Sequence, residues 1–182
     1  MLLAGAVANN WRGEKDMIKK CYIGIDPGSA SGCIAIIYIN EQGNIAGTDT
    51  IEFAKFTTKE WYDRLYGCIE GDFKKEFKCP PDCFAILEKV HGMPGMGVQS
   101  ISAFMKNVGH IEMALLALNI PFKEVTPQTW MKHYNLKKEK DESKPDWKRR
   151  LRERLQRIMP EFKCNNVNSD AMLIAYYGAI NF

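Results

Sequence analysis

Three carboxylates stand where elements of secondary structure should begin or end: Asp26, Glu88 and Asp170. Asp26 closes the apolar run Cys21-Tyr22-Ile23-Gly24-Ile25 and meets the turn Pro27-Gly28-Ser29-Ala30-Ser31-Gly32. Pro27 denies Asp26 a helical continuation, so the carboxylate belongs at a strand end. Glu88 closes a second apolar run, Cys83-Phe84-Ala85-Ile86-Leu87. Asp170 lies near the start of an apolar stretch, Asn166-Val167-Asn168-Ser169-Asp170-Ala171-Met172-Leu173-Ile174. Taken singly, each has a plainer role. An Asp before Pro-Gly forms turns, and an acid in the first turn of a helix answers the macrodipole. Taken together they are hard oxygen ligands without nearby Cys or His pairs, a set that favours Mg²⁺ or Mn²⁺ over zinc. Such a cluster suits two-metal cleavage of a phosphodiester, in which one ion lowers the pKa of a water and the pair stabilises the in-line oxygens.

Bringing the three acids together requires a particular arrangement of elements. Continuous apolar runs bounded by Gly, Pro and Ser predict buried strands at roughly 21–27 and 32–39, with a third, edge-like strand from Ile45 to Phe53. Thr57-Thr58-Lys59-Glu60 reads as a capping box opening a helix with Trp61, Leu65, Cys68 and Ile69 on one face. After the strand ending in Glu88 and the loop His91-Gly92-Met93-Pro94-Gly95-Met96-Gly97, a helix is predicted from Val98 to Leu118. Ile101, Phe104, Met105, Val108, Ile111, Leu115 and Leu118 form its core face, part of which could serve a dimer. Phe122 to Val125 is a short strand, and Thr126-Pro127 caps a short helix. Lys137 to Ser143 reads as a mobile loop, and Asp146 to Met159 as a helix. If the first and fourth strands are parallel neighbours, Asp26 and Glu88 end on one rim, and a C-terminal helix on the sheet can add Asp170.

The 182 residues, 46% of them hydrophobic, suit one domain with a real core, residues 17–182, behind a flexible extension, residues 1–16. No apolar run approaches the length of a membrane span. The six cysteines are scattered, which fits a reducing, cytoplasmic setting, and Cys79-Pro80-Pro81-Asp82-Cys83 lacks the second pair a zinc site needs. The net charge is +3, but Lys137 to Arg157 carries ten Lys/Arg against five Asp/Glu, so the remainder is slightly acidic. One basic segment on a near-neutral body fits a polyanionic partner, though mixed charges also simply solvate a helix face.

The motifs carry a resemblance. Ile23-Gly24-Ile25-Asp26-Pro27-Gly28 with Ser31-Gly32 is similar to the first motif of RuvC-type Holliday junction resolvases, members of the RNase H-like superfamily. Leu87-Glu88 before a glycine-rich loop and a helix resembles the second, and Ser169-Asp170-Ala171 the last. Val125-Thr126-Pro127-Gln128-Thr129-Trp130 resembles a strand-to-helix segment of phage-type members. The resemblance implies an α/β fold with a five-stranded mixed sheet flanked by helices on both faces. It implies a homodimer in a bacterial or phage-infected cell, each subunit nicking one strand of a four-way DNA junction with two Mg²⁺ (or Mn²⁺) ions. On this reading Asp26 bridges the ions while Glu88 and Asp170 each hold one. His91, Met93 and Met96 approach the opened crossover, and Lys144 and Lys148 lie near the scissile phosphate. Arg149 and Arg150 add to the DNA-binding surface.

One position departs from the family pattern. A second acid usually stands three or four residues before the last one, where this chain has Val167 and Asn166. The Asn166 amide oxygen can bind Mg²⁺ but brings no charge, so the second ion should bind more weakly. Three readings stay open: a natural three-acid enzyme, an inactivating substitution, or a junction-binding protein that no longer cuts. An RNase H-fold nuclease acting on RNA–DNA hybrids or forks is the enzymatic rival. An actin-like ATPase, which also opens on Asp-x-Gly, needs a far longer chain.

If Lys148, Arg149 and Arg150 contact phosphates, neutralising all three flattens the dependence of log K on log salt by up to about 0.9 per lost contact. Binding titrations of a DNA junction across a salt series would read this directly; an unchanged slope assigns these charges to solvating the helix.

Overall fold

The structure, a computed structural model, describes residues 18–28, 32–53, 57–67, 82–90 and 97–182. Its frame is a five-stranded sheet of β1 (Ile18–Asp26), β2 (Cys33–Asn40), β3 (Ile45–Glu52), β4 (Asp82–Glu88) and β5 (Phe122–Val125), in the order β3-β2-β1-β4-β5. The β1–β2 and β2–β3 pairs are antiparallel, whereas β1–β4 and β4–β5 are parallel. The sheet is therefore mixed, and β1 is where its two halves meet. Parallel neighbours need a crossover, and that geometry puts the ends of β1 and β4 on the same rim: Ile25 pairs with Leu87, so Asp26 and Glu88 follow as adjacent terminal residues.

Among the described residues five helices cover the two faces: α1 (Thr58–Tyr66), α2 (Val98–Ala117), α3 (Pro127–His133), α4 (Lys144–Ile158) and α5 (Asn168–Asn181). Alternate residues of β1 divide between them. Cys21, Ile23 and Ile25 face a core shared with Trp61 and Leu65 of α1 and Val108, Ile111 and Leu115 of α2. Tyr22 faces the other core, built with Trp130 of α3, Trp147, Leu151 and Leu155 of α4, and Ala171 to Ala175 of α5. Being covered on both faces, β1 and β2 read as unbroken apolar runs, while the edge strand β3 is half exposed.

Local chemistry fixes the helix starts. Thr57 and Glu60 form the expected reciprocal capping box. Ser143, rather than a residue nearer Asp146, caps α4 by accepting from the Asp146 N–H, so α4 opens at Lys144, two residues ahead of the expected start. The burial of α2 is concentrated in its second half: Val108, Ile111, Ala114 and Leu115 are buried, but Met105 is exposed. The expected opening of the last helix also shifts. Asn165 Oδ1 accepts from the N–H groups of Val167 and Asn168 in the turn ahead, and α5 starts at Asn168 with Val167 at the N-cap and no side-chain cap there.

α5 is buried along most of its length and lies unusually close to the sheet. A Cβ on Gly24 would stand 2.2 Å from both the Ala171 carbonyl oxygen and the Ala175 nitrogen. A Cβ on Gly178 would stand 2.0 Å from Cδ1 of Ile86. The two glycines differ in what they would strike: rigid helix backbone at Gly24, the end of a side chain at Gly178. Gly24→Ala should therefore destabilise by about 3 kcal/mol or more, a drop in Tm of roughly 6–12 °C for a chain of this size. Gly178→Ala should cost less, and thermal denaturation of the two variants side by side checks the order.

Candidate functional site

The rim where β1 and β4 end gathers the three acids, each held by a different layer. Asp26 is positioned by its own turn. Its Oδ1 accepts from the Gly28 N–H at 3.1 Å, and the Gly32 N–H closes the loop on the Gly28 carbonyl at 2.8 Å. A Cβ on Gly32 would fall 2.4 Å from both the Asp26 and Gly28 carbonyl oxygens, so the closure needs glycine. The turn is bolted to the helices below: Asn107 of α2 donates through Nδ2 to the Pro27 carbonyl at 3.0 Å. Its Oδ1 accepts from the Trp61 indole N–H at 2.9 Å. Trp61 itself is fully buried, edge-on to Phe53.

Glu88 is reached from the other face. β5 runs parallel to β4 with Val125 opposite Glu88, and α3 starts directly afterwards, capped by Thr126. One turn on, the indole N–H of Trp130 donates to Glu88 Oε1 at 2.9 Å. Asp170 rides on α5, which the small residues Gly24, Ala171 and Ala175 bring against β1. Its Oδ2 accepts from Lys148 Nζ at 2.8 Å and its Oδ1 from Ser169 Oγ at 3.1 Å. The Lys148–Asp170 pair is largely withdrawn from solvent, at 20% and 14% side-chain exposure.

The electrostatics tie the acids into one site. Burial, followed by the charge of Asp170, raises the Asp26 carboxyl to about 6, against the Gly28 N–H and Lys148, which lower it. Burial, followed by Asp26, raises Glu88 to about 8, against the Trp130 hydrogen bond and Lys148. Both acids are also pushed up by Asp170. Crowded, half-dry carboxylates of this kind call for positive charge, and Lys148 supplies one unit where two or more are needed. The donor set of oxygen anions fits a hard divalent cation. Among the described residues no group of three His, Cys, Asp or Glu side chains converges tightly enough to hold a metal as arranged. Lys148 bonds one oxygen of Asp170 and Trp130 one oxygen of Glu88.

The remaining expected residues fall as follows. Lys148 joins the site. Lys144, at the start of α4, is exposed, and Arg149 pairs with Asp146 at 3.0 Å. Arg150 bonds both oxygens of Glu142 at 2.9 Å and the Lys137 carbonyl at 3.3 Å, which ties down the segment expected to be a mobile loop. Asn166 is exposed in the turn ahead of α5, where Asn165 Oδ1 accepts from the Val167 and Asn168 N–H groups. Asn165 also donates to Glu52 at the end of β3. His91, Met93, Met96 and residues 1–16 lie outside the described residues. Sequence reasoning assigned no role to Trp130, Asn107 or Asn165, whose parts depend on partners brought near by the fold.

No protein-family model matches the sequence, and no curated protein matches it. Solved structures do match. The structure of RuvC from Thermus thermophilus aligns at a TM-score of 0.53 and 14% identity, over 87% of this chain and 93% of that one. RuvC from the same organism in complex with a Holliday junction substrate aligns at 0.57 and 13% identity, over 87% and 92%. The chain thus has the RNase H-like fold of these proteins. No helix among the described residues is long and apolar enough to cross a membrane.

The raised carboxyls set a pH dependence of stability. Asp26 and Glu88 hold protons more tightly folded than unfolded, where their values return to 3.8 and 4.5. The unfolded chain releases those protons first, so stability is lost as pH climbs from about 4 through about 8. In chelator, Tm should fall as pH rises across this window, and Glu88→Gln should flatten the fall. Adding Mg²⁺ near the upper end should raise Tm again in the unsubstituted chain.

Proposed function

We propose that this chain is a metal-dependent, structure-selective DNA endonuclease that resolves four-way and related branched junctions by paired nicks. The observation that carries the reading is the adjacency of Asp26 and Glu88 at the ends of β1 and β4, both coupled electrostatically to Asp170, with Lys148 paired to Asp170. The shared fold with RuvC, one of whose structures holds a Holliday junction, supports the choice of substrate. The reading includes a homodimer, since resolution needs two opposed cuts, working in the cytoplasm of a bacterium or an infected cell.

Asp26, Glu88 and Asp170 would hold the divalent ions, with Asn166 at most lending an amide oxygen. Bound Mg²⁺ or Mn²⁺ would supply the Lewis-acid chemistry of phosphodiester hydrolysis. The protein's own part is to aim the acceptors and to offset some of the burial that favours their protonated forms. The Gly28 N–H stabilises the Asp26 carboxylate, and Trp130 that of Glu88. Lys148, paired with Asp170, would place an ammonium near the scissile phosphate. Lys144, Arg149 and Arg150 line the exposed side of α4, where a DNA arm would pass. His91, Met93 and Met96 follow β4 in sequence and would meet the crossover. A non-cutting junction binder of the same fold is favoured by one observation, the exposed Asn166 where related enzymes carry an acid.

The test is cleavage of a labelled synthetic four-way junction with Mg²⁺ or Mn²⁺ against chelator, beside linear duplex and an RNA–DNA hybrid. Paired, metal-dependent nicks near the crossover are expected. Asp26→Asn should lower the rate by at least about 10³-fold, the equivalent of some 4 kcal/mol, and leave junction binding intact. Tight binding without cutting in either metal would select the binding-protein reading, and preferential cutting of the hybrid would move the substrate to RNA–DNA.

A further inference from the structure

Trp130 is fully buried, and its one polar atom is spent on Glu88. The indole N–H is a donor without acceptor capacity, and it needs a partner when removed from water. Its approach is set by backbone register. Val125 stands opposite Glu88 in the β4–β5 ladder, the Lys89 N–H bonds the Val125 carbonyl at 2.8 Å, and Thr126 then starts α3. One turn of helix from a residue in register with Glu88 delivers the indole to Oε1. The same helix reaches the third acid's support. Trp130 packs against Tyr134, whose hydroxyl donates to the Leu173 carbonyl of α5 at 2.6 Å. α3 is thus a brace between the strand that carries Glu88 and the helix that carries Asp170.

The two groups that touch the acids from outside differ in kind. Lys148 brings a full positive charge to Asp170 Oδ2, which competes with a cation for that carboxylate. Trp130 brings a neutral donor, so it can keep its bond to Oε1 while Oε2 faces an ion. We infer that Trp130 is a positioning residue for Glu88, whose indole N–H fixes the carboxylate so that its second oxygen is presented to a divalent cation. The inference rests on the reading that Glu88 holds such an ion. Partners of this kind, one bond removed from a metal, typically change its affinity by about 10- to 100-fold.

The experiment is Mn²⁺ binding by calorimetry to the full chain and to Trp130→Phe, Glu88→Gln and the double variant, with circular dichroism as a check on folding. Trp130→Phe keeps an aromatic ring but removes the N–H. Its affinity for Mn²⁺ should fall by about tenfold or more, and in the Glu88→Gln background it should cause little further loss. Unchanged affinity in Trp130→Phe, or equal losses in both backgrounds, would overturn the inference, the second outcome assigning Trp130 to packing alone. Absence of Mn²⁺ binding by the unsubstituted chain would remove the reading of the site and this inference with it. If Trp130→Phe does not fold, indole N–H spectra of the unsubstituted chain decide. The resonance that moves in Glu88→Gln should also move on saturation with Mg²⁺, and its indifference to Mg²⁺ would count against the assignment.

Discussion

The contact between α5 and β1 at Gly24 governs the site. Helix backbone can come that near a strand only where side chains are missing or minimal, and Gly24, Ala171 and Ala175 provide that on both surfaces. With an ordinary side chain at 24, α5 would ride higher on the sheet and carry Asp170 away from Asp26. The separation of two of the three acids is therefore set by the absence of a methyl group two residues before the first of them. Gly178 and Ile86 repeat the device toward the other end of the helix, with a softer contact.

Against this sits the repulsion the arrangement creates. Burial, together with the charges of the neighbouring acids, raises the proton affinity of Asp26 and Glu88, and a single ammonium and two aimed N–H groups work against it. Sites that must bind positive charge are built in this way, with the surrounding fold stable enough to hold groups that would separate if free. The Asn107 bridge from Trp61 to the Pro27 carbonyl is part of that restraint, since it fixes the Asp26 turn to a fully buried ring.

Much of this frame was legible in the sequence because its signals are local. The unbroken apolar runs placed β2 and β4 nearly at their bounds. β1 begins three residues earlier than expected, at Ile18, because Lys19 and Lys20 interrupt the apolar signal there. The Thr57–Glu60 box and the Thr126-Pro127 cap placed two helix starts. The three acids were legible because each terminates or opens such an element. Their meeting was conditional on β1 and β4 being parallel neighbours, which they are. What escaped was non-local. Trp130 reaches Glu88 across 42 residues and Asn107 reaches Pro27 across 80, and neither bond has a spacing to betray it. Asn165 escaped for the opposite reason. It stands in a run of Asn residues, any of which could cap, and only backbone conformation selects one. Charge composition marked α4 as basic, but it could not reveal that Lys148, Arg149 and Arg150 each already have an acid partner.

Asp170 lies on the last element in chain order, and this has a consequence for when the site comes into being. β1, β2 and β4 can pair, and α1 and α2 can cover one face, before α5 has left the ribosome. Over that period β1 shows a bare strip at Gly24 and the rim holds two acids, not three. The contacts that complete the site join residues far apart in sequence, the kind that form late because loop closure must precede them. A chain still being made thus holds a nearly finished scaffold whose rim lacks its third acid. The third acid arrives only with the helix that seals the second core, so sealing of that core and assembly of the acid cluster are one event.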